Sequence, residues 1–186
     1  MMNLKNSLIG VSLMAACSVS YAESFTLTSS DIADGKPMSQ QQEFQGFGCQ
    51  GGNQSPALSW SGAPEGTKAY AVLVHDPDAP TGGSGWWHWQ MINIPQNVTH
   101  LEAGAGNPDN GLAPKSSQQI RNDYGVEGFG GACPPKGDEP HRYRFTVYAL
   151  SQRLELPEAP SAALTGYMVN HFKLASSTIE ALYQVE

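Results

Sequence analysis

The stretch Lys68-Ala69-Tyr70-Ala71-Val72-Leu73-Val74-His75-Asp76-Pro77-Asp78-Ala79-Pro80 decides how this chain is read. Its first eight residues are a nearly continuous apolar run rich in Val, bounded by Pro64-Glu65-Gly66 before and by a proline-laden turn after. The run is shorter than an ordinary helix, and apolar side chains on both faces of the pleat mark a strand covered from both sides. This chain therefore has a buried central strand, and that strand ends on carboxylates.

Working outward, residues 88–94 read as a second strand stopped by Pro95, and residues 142–150 as a third, half-exposed one. The third alternates: His141, Tyr143, Phe145, Val147 and Ala149 share one side, Arg142, Arg144, Thr146 and Tyr148 the other. Shorter strands are expected at 25–29, 58–59 and 181–185, and a single helix over 162–175, entered through Pro160 and Ser161. With thirteen prolines, twenty glycines and one late helix, the chain is a β-dominated sandwich or large twisted sheet. A doubly wound α/β fold lacks the alternating helices it needs. Residues 99–140, rich in Gly, Pro, Asn and Asp, are longer than connecting loops usually are, so they are either functional or locally mobile.

The 186 residues suit one domain, and no repeat or low-complexity linker divides them. Residues 1–22 read as a cleavable secretory signal: Lys5 in the n-region, an apolar stretch over 8–19, and Ser20-Tyr21-Ala22 as the cleavage site. The alternative is lipoprotein processing at Cys17, behind Met14-Ala15-Ala16. No later segment approaches the roughly 20 apolar residues of a membrane-spanning helix. The expected product is a single domain over 23–186, periplasmic or secreted. Loss of residues 1–22 removes Lys5 and leaves a charge of −8, which argues against nucleic acid as a partner. It also removes Cys17 and leaves Cys49 and Cys133 to pair as a disulfide in an oxidising compartment.

The residues that carry chemistry cluster around the first stretch. Asp76 and Asp78, two apart in a run held open by the following prolines, are expected to point to one side. His141 and Tyr143 share a strand face for the same reason, and His88 sits in Trp86-Trp87-His88-Trp89. His and Tyr would donate to an anion while an Asp orients the imidazole. The approaches Gly128-Phe129-Gly130-Gly131 and Pro134-Pro135-Lys136-Gly137 could add backbone N–H groups, and Trp86, Trp87 and Trp89 an apolar rim.

Asp-Pro-Asp-Ala-Pro, the Trp-His-Trp strand, the segment Gly52-Asn53-Gln54-Ser55-Pro56-Ala57-Leu58-Ser59-Trp60 and the NDYG…GACPPKG…HRYRFTVYAL block over 122–150 resemble the phosphatidylethanolamine-binding protein family, also called Raf kinase inhibitor proteins. The likeness is to the bacterial and archaeal branch, and within it to exported periplasmic members. It implies a mainly β fold, with a large central sheet packed against a smaller one, few short helices and one C-terminal helix. It also implies an anion pocket on Asp76, His88, His141 and Tyr143, with Asp78 supporting the turn.

The function expected from this reading is an exported, non-enzymatic binding protein for a phosphate or phosphoester head group, without a cofactor or metal. Its binding should tighten below neutral pH. The alternative is an inhibitor or interaction protein that acts on a protease, kinase or host factor through its surface. A metal-dependent hydrolase using the two carboxylates and two imidazoles is weaker, since no HExxH or paired-cysteine spacing is present. A serine hydrolase lacks its Gly-x-Ser-x-Gly elbow. Homodimerisation is a further expectation by analogy with bacterial relatives.

Overall fold

The computed structural model describes residues 24–185. The expected signal segment and Cys17 lie outside the described residues. Ten strands and one helix follow in chain order: β1 (Thr26–Thr28), β2 (Gln45–Gly46), β3 (Cys49–Gln50), β4 (Leu58–Ser61), β5 (Ala69–Asp76), β6 (Trp86–Pro95), β7 (His100–Leu101), β8 (Gln118–Gln119), β9 (His141–Leu150), α1 (Ala162–Phe172) and β10 (Lys173–Tyr183). The large sheet has the order β10-β9-β5-β6-β8, every pair antiparallel. A smaller sheet, β1-β4-β7, packs on one face of it, and β2 and β3 form a separate hairpin. The architecture is the mainly β one that the sequence implied.

The apolar run of β5 is explained by cover on both faces. Val72 and Val74 enter the core shared with Leu27, Leu58, Trp60 and Leu101 of the smaller sheet. Ala71 and Leu73 face the other way, into a second core with Ile92, Leu154 and Val169 of α1. Burying each Val or Leu in this way stabilises the fold by about 1.5–3 kcal/mol, so the central strand anchors both layers.

Helix α1 begins where expected, with Ser161 accepting a hydrogen bond from the Leu164 N–H. It ends at Phe172, three residues earlier than expected, and the chain passes directly into β10, which pairs with β9 along its length. The sequence reading placed a strand only at 181–185. Leu174-Ala175-Ser176-Ser177-Thr178 carries little strand patterning of its own, and the free edge of β9 supplies the hydrogen bonds that extend it. The expected loop over 99–140 likewise contains β7 and β8, which close the edges of the two sheets.

Two irregularities in the β5–β6 ladder shape the molecule. Val74 pairs with Trp89 and His75 with Trp87, so His88 is the extra residue of a bulge. A second register shift lies at Asn93, whose φ is 58° and whose side chain bonds both the N–H and the carbonyl of Leu154. The first shift sits at the mouth of the candidate site.

Candidate functional site

Antiparallel pairing brings the C-terminal end of β5 to the N-terminal ends of β6 and β9. Asp76, His88, His141 and Tyr143 therefore meet at one edge of the large sheet, around a cavity of about 350 Å³. Its rim is Phe47, Ala79, Pro80, Thr81, Trp86, Tyr124, Cys133, Pro134 and Pro135. Among the described residues that line it, none is Lys or Arg.

Asp76 is buried, and each of its oxygens is already engaged. Oδ1 accepts from the Asp78 N–H at 2.8 Å and the Ala79 N–H at 3.1 Å, and Oδ2 accepts from His141 Nδ1 at 2.8 Å. Three N–H donors answer its charge and leave it a positioning group. The first two bonds also bend the backbone into an Asx turn. That turn overturns the expectation that Asp76 and Asp78 point one way. Asp78 is carried to a neighbouring hollow that it lines with Asp138, Glu139 and Arg142. There it accepts from Arg142 Nε at 2.8 Å, Nη2 at 2.6 Å and the Arg142 N–H at 2.9 Å. The guanidinium holds its carboxyl down at about 2.

His141 takes its orientation from Asp76, and its Nε2 lies 3.5 Å from Asp138 Oδ2. His88 is held differently. Its Nδ1 lies 2.7 Å from the Gly130 carbonyl and 3.1 Å from that of Gly131. A carbonyl oxygen only accepts, so Nδ1 carries the proton. Burial, the largest influence, pulls this imidazole down to about 4 and keeps it neutral near pH 7. The expectation that His88 donates to a ligand is thereby reversed: with Nδ1 spent, Nε2 offers a lone pair.

Two donors lie buried here without a hydrogen bond of good geometry, the Tyr143 hydroxyl and the Trp86 indole N–H, and the Tyr143 hydroxyl stands close to the Asp76 carboxylate. Burial and then the nearby Asp76 charge push the Tyr143 hydroxyl far above its ordinary range, so it keeps its proton. The glycine approach does not supply donors, because the N–H groups of Phe129, Gly130, Gly131 and Ala132 are bonded to Gly106, His88, Asn53 and Gln42. What the glycines provide is closeness. A Cβ on Gly130 would lie 2.4 Å from Tyr124 Cδ2, and one on Gly85, at φ +66°, would strike His75 Nε2 at 2.4 Å.

Of the three tryptophans, Trp86 lines the cavity, Trp87 packs on His75 and α1, and Trp89 is core against Phe129. Sequence reasoning missed Tyr124 and Phe47 as wall residues. Tyr124 stacks on Phe44 with centroids 3.9 Å apart and donates to the Gly131 carbonyl. Phe47 stands at the β2–β3 turn with φ 53° and is 78% exposed. The Cys49–Cys133 disulfide ties that hairpin to Pro134-Pro135. An aromatic flanked by glycines and two residues before a cysteine was the signal available for Phe47.

The sequence profile of the phosphatidylethanolamine-binding protein family matches residues 28–184. The chain belongs to that family. Phosphatidylethanolamine-binding proteins similar to it include the UPF0098 protein YbcL of Escherichia coli (strain K12), 51% identical over 166 residues that cover 89% of this chain and 90% of that one. The crystal structure of E. coli YbcL, described as a new member of the mammalian family, superposes with a TM-score of 0.84 over 87% of this chain and 99% of that one. A second E. coli relative, YbhB, is 44% identical over 84% of this chain and 98% of its own. The phosphatidylethanolamine-binding protein homologue CT736 of Chlamydia trachomatis, 28% identical, superposes with a TM-score of 0.72 over 87% of this chain and 98% of that one.

Proposed function

We propose that this chain is an exported, non-enzymatic binding protein whose cavity holds a small oxyanion, a phosphate or phosphoester head group. One observation carries the reading: Tyr143 and Trp86 line the cavity, and neither the Tyr143 O–H nor the Trp86 N–H makes a well-formed hydrogen bond within the protein. A buried polar group left unpaired costs about 1–3 kcal/mol, and an oxyanion would satisfy both donors at once. The His141 ring, fixed by Asp76, stands beside them.

Asp76 does not repel such a ligand strongly, because its own N–H donors already answer its charge. The apolar rim of Phe47, Pro80, Pro134 and Pro135 suits the remainder of an ester. The phosphoester in the family's name agrees with this chemistry. Export is supported by the Cys49–Cys133 disulfide, since such bonds persist in oxidising compartments.

Calorimetric titration with inorganic phosphate and with phosphorylethanolamine, at about pH 5.5 and about pH 8, tests the reading. Saturable binding that is tighter at the lower pH is expected, and His141→Ala should weaken it at least about tenfold. Equal heats from the wild type and His141→Ala would refute the role of the cavity.

A further inference from the structure

His141 is the one side chain shared by the cavity and the neighbouring hollow of Asp78, Asp138, Glu139 and Arg142. Its two ring nitrogens face different carboxylates. Nδ1 lies 2.8 Å from Asp76 Oδ2, in the buried contact that orients the ring, so Nε2 is the nitrogen left for a ligand. That nitrogen lies 3.5 Å from Asp138 Oδ2. The two contacts differ in kind: the Asp76 side chain is 3% exposed and its bond is short, whereas the Asp138 side chain is 44% exposed and stands beyond the length of a well-formed hydrogen bond. Nε2 holds at most one proton, so an oxyanion that accepts from it takes the place of the Asp138 carboxylate.

The backbone carries Asp138 to this position. Its N–H donates to the Pro135 carbonyl at 3.2 Å across Gly137, whose φ of +89° is that of the third residue of a type II turn. The turn follows Cys133 and Pro134 of the cavity wall, and the end of the chain holds it from the other side, Gln184 Nε2 donating to the Asp138 carbonyl at 3.1 Å. All of these bonds use main-chain atoms of Asp138. Its side chain can therefore be replaced while the turn stays as it is.

We infer that Asp138 is an internal competitor for the oxyanion. In the free protein its carboxylate holds the ligand-facing nitrogen of His141, and it gives way when an anion binds. The affinity of the cavity is thereby set below what its donors alone would give. The inference rests on the oxyanion reading of the same cavity and adds the residue that tunes it. The other carboxylates of the hollow do not share the role: Asp78 is engaged by the Arg142 guanidinium, and Glu139 is exposed. Glu139 thus serves as a control for charge alone.

The test is calorimetric titration of the full chain with inorganic phosphate at low salt and about pH 5.5. Asp138→Asn and Asp138→Ala should each bind about three- to fivefold more tightly than the wild type, the scale of losing a half-exposed ion pair. Glu139→Gln should stay within about twofold of the wild type. In a His141→Ala background, Asp138→Ala should change the affinity by less than about twofold, because the competition runs through the imidazole. Unchanged or weaker binding in both Asp138 variants overturns the inference and leaves the oxyanion reading standing. An equal gain in Glu139→Gln, or a gain that survives the loss of His141, also overturns it, since charge alone would then explain the effect. Absence of phosphate binding in the wild type and in both Asp138 variants overturns the oxyanion reading as well.

Discussion

Asp76 Oδ2 and His141 Nδ1 lie 2.8 Å apart, both side chains buried, across a separation of 65 residues. The contact joins the end of β5 to the start of β9, and the same carboxylate closes the turn that follows β5. Asp76→Ala therefore removes three hydrogen bonds and strands a buried imidazole. Unfolding in urea should show a loss of about 3 kcal/mol or more, by the scale of breaking one side of a buried pair. A midpoint within error of the wild type would sink this account of Asp76.

Tyr143→Phe should move stability and binding in opposite directions. Its hydroxyl is buried without a well-formed hydrogen bond, so its removal should raise the free protein's stability by about 1 kcal/mol. The same change deletes a ligand donor and should weaken phosphate binding about tenfold. Thermal melts with and without phosphate read both effects. A less stable apo variant would show that the hydroxyl is satisfied in solution.

His88 sets a pH window for stability. Its folded-state value of about 4 lies below the ordinary 6.5, so between them the unfolded chain binds more protons than the native one. Stability should fall as pH is lowered from about 6.5 to about 4, by a few kcal/mol at most, on the order of 3. Urea midpoints across that window for the wild type and His88→Gln give the contribution as a difference. Parallel curves would mean that burial does not hold this ring neutral.

Asp78 acts in a more acidic window. Its folded value of about 2 lies under the ordinary 3.8, so its contribution is present above about pH 4 and lost as pH falls toward 2. Solvent screens the fork, since the Asp78 and Arg142 side chains are 27% and 43% exposed. Asp78→Asn should therefore cost less than about 1 kcal/mol at neutral pH. Differential scanning at about pH 7 and about pH 2.5 should show that small loss shrinking at the lower value.

Replacing Cys49 and Cys133 together by Ser should destabilise the fold by about 4 kcal/mol, on the chain-entropy scale for a loop of this length. It should also weaken phosphate binding, because Phe47 and Pro134, which both line the cavity, then lose the tie that holds their two segments together. Calorimetry on the double variant reads both. Unchanged affinity would show that the remaining contacts hold the hairpin in place.

The linear order of residues determined the large features. The apolar run over 68–75 called for a strand covered on both faces, and the structure buries it between the smaller sheet and α1. The alternation over 141–150 placed His141 and Tyr143 on one face, and both line the cavity. Cys49 and Cys133 are paired as expected. Such features are local in cause: periodicity sets which face is buried, and residue type sets which groups can bond.

What only the tertiary structure decided was the allocation of hydrogen bonds among groups far apart in the chain. Asp76 takes the N–H groups of its own turn and so sends Asp78 to Arg142. Gly130 claims His88 Nδ1 and makes an acceptor of a residue whose type promised a donor. The edge of β9 draws Leu174 and the residues after it out of the helix. Each outcome depends on which partner the fold holds within about 3 Å, and that distance is set by sheet pairing, which the order of residues does not encode one position at a time.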